Sequence, residues 1–164
     1  IATGDTFLFL HADTALPPHF DDYIHRTLDR PGVRAGAFRL SIGSAARPFR
    51  VIEKAVNLRS RVRQMPYGDQ GIFVRADVYH AAGGYPDVSI MEDYVLVRRL
   101  RSMGRIEIAP VSVVTSPRRW LDHGVWRTTL RNQFLIAAYW LSRSPGRKPR
   151  DHGKAMGWRP EPKT

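Results

Sequence analysis

The chain alternates short apolar runs with longer stretches in which apolar residues return every third or fourth position. Residues 6–10, TFLFL, have the pattern of a strand buried on both faces. A helix is expected to start at Pro17-Pro18, to carry Phe20, Tyr23, Ile24 and Leu28, and to stop near Pro31-Gly32. Residues 35–42, AGAFRLSI, alternate Phe38, Leu40 and Ile42 with polar neighbours and read as a half-exposed strand. From 47 to 63 the period is helical, with Val51, Ala55, Leu58 and Val62 on one face, expected inward, and arginines filling much of the rest.

Residues 65–70, MPYGDQ, are a loop by their Pro and Gly. A strand over 71–74 and a short helix over 75–82 follow, closed by Gly83-Gly84. Residues 92–103 read as a helix with Leu96, Leu100 and Met103 inward. Strands over 106–109 and 111–115 are expected to be split by Pro110, and a last helix over 124–142 carries Trp126, Leu130, Phe134 and Tyr139. After Pro145 the residues turn to Gly, Pro, Lys and Arg with little to bury, which reads as a mobile basic tail over 145–164. Strands alternating with helices imply an α/β domain whose mostly parallel sheet is flanked by helices. Ligands of such sheets gather outside the carboxyl ends of the strands.

Length adds that 164 residues fit one domain with a real core. No apolar run approaches a membrane-spanning length, no secretory signal is visible, and the absence of cysteine excludes disulfides and thiolate metal sites. These features suit a cytoplasmic protein. The balance of 26 Lys+Arg against 15 Asp+Glu gives +11, which favours anionic partners or follows from arginine-rich coding alone. The opening Ile1, with a turn-like Thr3-Gly4-Asp5 behind it, reads like the middle of an α/β domain.

Four stretches carry chemistry. FLFLHADTALP (7–17) ends a strand in His11-Ala12-Asp13; Asp13 either caps the next helix, for which it stands too far ahead of Pro17, or binds a hard cation through oxygen. In SIMEDYVLVRRL (89–100), Glu92 and Asp93 either complement a helix dipole or supply a general base, and neighbours on a helix cannot both face one cleft. PYGDQG (66–71) is either an ordinary polar turn or a loop whose Gly admits a ligand to the backbone, with Tyr67 able to stack on a sugar. In SPRRWLDHGVWRTTLRNQ (116–133), Arg118, Arg119 and Trp120 either suit a diphosphate or form a basic or membrane-surface stretch.

In this order, HADT, GDQG, ED and RRW resemble the inverting glycosyltransferases of family 2, which have the GT-A fold. The phrases FLHADTALP, PYGDQGIFVRADVYHAAGGYPD and IMEDYVLVRRLRSMG are similar to the bacterial branch called radical-SAM/selenodomain-associated transferase 2. The resemblance runs from Ala2 to about Ser144, and implies a partial GT-A catalytic domain over 1–144, its mixed sheet flanked by helices. It implies transfer of a sugar from a nucleotide-diphosphate donor to an acceptor hydroxyl. Asp13 would ligate Mg²⁺ or Mn²⁺, with His11 where relatives carry another acid. Asp93 would be the catalytic base, with Glu92 beside it. Asp69, Gln70 and Tyr67 would face acceptor and donor sugar, and Arg118, Arg119 and Trp120 the pyrophosphate. Nothing matches the nucleotide-binding front half of that family, so the chain reads as its C-terminal part, catalytic or a non-catalytic remnant. A basic nucleic-acid-binding module explains the charge but leaves HAD, GDQG and ED without purpose, so no nucleic acid is expected. Contact with the inner face of a membrane is compatible with the basic stretches.

Overall fold

A computed structural model describes residues 3–88 and 91–123. The helix expected over 124–142 and the tail over 145–164 lie outside the described residues. The elements are β1 (Thr6–Phe9), β2 (Thr14–Ala15), α1 (Phe20–Leu28), β3 (Val33–Ile42), α2 (Arg47–Arg63), β4 (Ile72–Arg75), α3 (Ala76–Ala81), α4 (Glu92–Met103), β5 (Arg105–Thr115) and α5 (Arg118–His123), with a 3-10 turn over Gly68–Gln70.

The five strands form one sheet in the order β1-β4-β3-β5-β2. Only β3 and β5 pair in parallel; β4 runs antiparallel to both β1 and β3, and β2 antiparallel to β5. The sheet is therefore mixed, against the mostly parallel arrangement that alternating strands and helices suggest. β1 is half-buried along its length and pairs on one side, with β4, so it is not the doubly covered strand its apolar run predicts. Phe7 and Phe9 pack instead with Tyr79 and Tyr85 at the rim of one core cluster.

β1 and β2 stand at opposite ends of the sheet yet are joined by residues 10–13 alone. Five backbone steps reach about 17 Å, whereas four strand spacings in a flat sheet cover about 19 Å. The connection is shortened further by a turn, since the Thr14 N–H donates to the His11 carbonyl at 3.1 Å. The sheet must curl, and the HAD triplet crosses its open end.

Side chains leave the sheet in two directions. Ile72, Val74, Ala35 and Ile106 meet α3 and α4 through Val78, Leu96, Val97 and Leu100. Phe73, Phe38, Ala109 and Val113 meet α1 through Ile24 and Leu28. Gly36 lies opposite Phe73 in the β3–β4 ladder, and a Cβ there would stand 2.3 Å from the Phe73 ring, so the ring lies over bare backbone. Met103, expected inward at the end of α4, is 38% exposed because the core is already closed by Leu100. Pro110 does not split β5: the register skips between Ala37 and Arg39, and exposed Pro110 stands in the bulge.

α2 has the expected bounds and the opposite orientation. β4 ends its pairing at Ala37, so the next stretch of β3 has no strand on that side. Side chains replace it. Asn57 accepts from the Leu40 N–H at 2.8 Å and donates to its carbonyl at 2.9 Å. Glu53 accepts from the Ile42 N–H at 2.5 Å, and Arg50 donates to the Ile42 carbonyl at 2.8 Å. Gln70 donates to the Phe38 carbonyl at 3.0 Å. Buried backbone groups must be satisfied, so α2 turns Phe49, Ile52, Glu53, Asn57 and Ser60 toward β3. Val51, Ala55, Leu58 and Val62 are consequently outside, not inside. The strand over 35–42, expected half-exposed, is buried at Ala35, Ala37, Phe38, Leu40 and Ile42: Ala35 packs toward α3 and α4, Phe38 toward α1, and Leu40 and Ile42 under α2.

Replacing Asn57 by Leu should leave two partly buried groups of Leu40 unpaired and lower the unfolding free energy by about 2–3 kcal/mol. Leu58→Ser, on the outer face, should change it by less than about 0.5 kcal/mol. Urea denaturation of the two variants checks the contrast, and equal losses would contradict the orientation of α2.

Candidate functional site

The carboxyl end of β1, the turn before β4 and the start of α4 meet at one end of the sheet. Gly68 is their junction. Its N–H donates to Asp93 Oδ2 at 2.7 Å, while Asp93 Oδ1 accepts from the Tyr94 N–H at 2.7 Å. A Cβ at position 68 would stand 2.7 Å from His11 Nε2 and 3.2 Å from Asp93 Oδ2. Only a glycine lets the imidazole and the carboxylate approach the same point. Met91, in a left-handed conformation with φ 67°, turns the chain into α4 so that Asp93 points back at this turn. Glu92, its neighbour, is exposed, in keeping with the divergence of adjacent helical positions.

Gln70 was expected to face a ligand. It is fully buried, accepts from Ser60 Oγ at 2.6 Å and donates to the Phe38 carbonyl, so it holds the loop from within. Tyr67 has one face occupied: the Arg59 guanidinium lies 3.6 Å from its ring centroid. Arg59 is the residue that sequence reasoning missed, lost among the arginines of α2. Burial lowers its pKa, and Tyr67, Asp69 and Asp93 pull it back up. Tyr67 is shifted upward, first by burial and against the pull of Arg59. Asp69 thus belongs to the same charged group as Arg59, Tyr67 and Asp93.

Asp13 lies two residues beyond His11, at most about 7 Å along the chain, and lines a different recess. An open groove of ≈ 430 Å³ is formed by Asp13, Thr14, Gly43, Val114, Thr115 and Ser116 among others. Asp13 does not cap α1, which begins only at Phe20. Its backbone carbonyl accepts from the Ser116 N–H at 3.0 Å, and Ser116 Oγ accepts from the Arg118 N–H at 3.3 Å. HAD and RRW are therefore adjacent. Arg118 is exposed, Arg119 is part of the same short helix, and Trp120 packs edge-on against Phe49 with centroids 6.2 Å apart. Trp120 is half-buried and packs against the core cluster beneath α2.

His11 turns to Gly68 and Asp93, and Asp13 to the groove. Among the described residues no three of His, Asp and Glu gather as a metal cage. Asp13 is half-buried, with Thr14 Oγ1 at 3.4 Å as a weak neighbour, so its carboxylate fits a hard cation only as one oxygen ligand among several supplied by another molecule.

The chain matches no protein-family model, no curated protein and no solved structure.

Gly68→Ala should force the imidazole of exposed His11 away from the turn, at a cost below about 1 kcal/mol because the ring can swing into solvent. Amide and imidazole NMR shifts at His11, Gly68 and Asp93, with a melting curve, check this. Unperturbed shifts at all three would contradict the close approach.

Proposed function

We propose that the chain carries the acceptor side and the diphosphate side of a metal-assisted glycosyltransferase of GT-A type, moving a sugar with inversion from a nucleotide-diphosphate donor to a hydroxyl. The observation that carries this reading is the meeting of the HAD, GDQ and ED motifs around Gly68, with Asp93 fixed there by two backbone N–H groups.

The chemistry asks for unequal help at its two ends. The acceptor oxygen forms its bond to the anomeric carbon as the bond to the diphosphate oxygen breaks, and the acceptor proton passes to a base. Asp93 is that base. Its two N–H contacts fix its orientation, and each carboxylate oxygen keeps a further lone pair for the incoming hydroxyl. His11, facing the same point, is a second polar group for the acceptor. Arg59, stacked on Tyr67, holds positive charge behind Asp69 and Asp93.

At the other end the diphosphate leaves with growing negative charge. Asp13 would hold a divalent ion, which when bound supplies positive charge against the leaving diphosphate. Arg118, two residues beyond Ser116 of the groove lining and exposed, adds a forked donor to the same side. No second acidic group is required, unlike the paired carboxyls of an inverting glycosidase.

Asp93→Asn should lower turnover with a nucleotide-sugar by about 10²–10⁴-fold while leaving donor affinity within twofold; wild-type turnover would remove Asp93 from the chemistry. Asp13→Ala should weaken nucleoside-diphosphate binding in Mn²⁺ by about tenfold or more in a calorimetric titration. Equal affinity in the variant would end the metal assignment.

A further inference from the structure

The inward turn of α2 leaves Val51, Leu58 and Val62 exposed on its outer surface among the described residues. Val51, Ala55, Leu58 and Val62 follow one another at spacings of four, three and four, and so form a single row along the crest of the helix. Three of them are among the most exposed apolar residues described, at 59%, 64% and 71% for Val51, Leu58 and Val62. A row of this kind ordinarily faces a neighbour. The core has no call on it, since Phe49, Ile52 and Val56 already fill the inward side.

Charge selects the partner. Arg47, Lys54 and Arg61 border the row on one side and Arg63 on the other, all exposed, while the one acid of α2, Glu53, is turned inward to β3 with Arg50 paired to it. A second copy of this face would set like charges against each other. The chain's own residues 124–164, with nine Lys+Arg against two acids, are basic as well and would be repelled. The partner must be anionic and able to receive an apolar ridge. α5, joined to the start of α2 through Trp120 and Phe49, adds the exposed Leu121 at 65%.

We infer that the outer face of α2 docks on an anionic lipid bilayer, the helix lying in the plane of the interface. The apolar row enters the boundary between headgroups and acyl chains, and the cationic side chains on both flanks reach lipid phosphates with their stems laid along the surface. Four small and medium side chains bury too little area to hold the protein alone, so the interaction depends on charge and fades with salt. This holds whether or not the chain transfers a sugar.

The test is sedimentation of the 164-residue chain with vesicles of phosphatidylcholine alone or mixed with phosphatidylglycerol. Partitioning to the anionic vesicles should exceed that to neutral ones by about tenfold or more and fall steeply as salt rises from about 0.05 to 0.5 M. The pair Leu58→Ser/Val62→Ser should lower it about tenfold with unchanged circular dichroism. The pair Lys54→Ala/Arg61→Ala should lower it by a similar factor at low salt only. Equal binding to both vesicle types overturns the proposal. So does full binding by both paired variants, which would put the lipid contact elsewhere in the chain. A wild-type dimer that the serine pair dissolves, seen by light scattering, would assign the ridge to a second copy instead.

Discussion

One edge of β3 governs much of the molecule. Beyond Ala37 that strand loses β4 as a neighbour while its backbone stays buried, and unpaired buried amides and carbonyls are costly. Glu53, Asn57 and Gln70 stand in for the absent strand. Because Glu53 and Asn57 are one helical turn apart, meeting this demand fixes the rotation of α2 about its axis. Because Gln70 is part of the same set, it also fixes the loop that ends in β4. Ser60, buried on α2, ties the two together through its hydrogen bond to Gln70.

The candidate site inherits its geometry from this arrangement. The turn holding Gln70 presents Gly68 to Asp93, and Arg59, next to Ser60 on α2, arrives over Tyr67. The other half of the site comes from the curl of the sheet. A four-residue crossing from one rim to the other puts His11 on the Asp93 side and Asp13 on the Ser116 side, so a single triplet serves two recesses.

Most element types and bounds could be read from local pattern, because each rests on neighbours in sequence; β2 and α5 were not among them. The rotation of α2 could not. Its residues 51, 55, 58 and 62 form the better apolar row, and the competing demand comes from Leu40 and Ile42, which no window over the helix contains. Gln70 was misread for a related reason: a polar residue in a glycine-marked loop looks available for a ligand until Ser60 and the Phe38 carbonyl are seen to claim it. Pro110 marks a real irregularity, but a bulge absorbs it without ending the strand. Asp13, Asp69 and Asp93 were legible as candidates because carboxylates at strand and helix ends need a reason to be there. Arg59 was not, since one arginine among many on a helix gives no local sign that it will be enclosed.

The bare backbone at Gly36, covered by the Phe73 ring, ties two distant positions into one unit of variation. A methyl group at 36 has no room while a phenyl ring occupies the opposite rung, and it would also press on the Glu107 carbonyl at 3.0 Å, while a smaller residue at 73 alone would leave a void between β3 and α1. The two sites can exchange bulk only in concert. A descendant with alanine at 36 is therefore expected to carry an aliphatic residue in place of the aromatic one across the ladder.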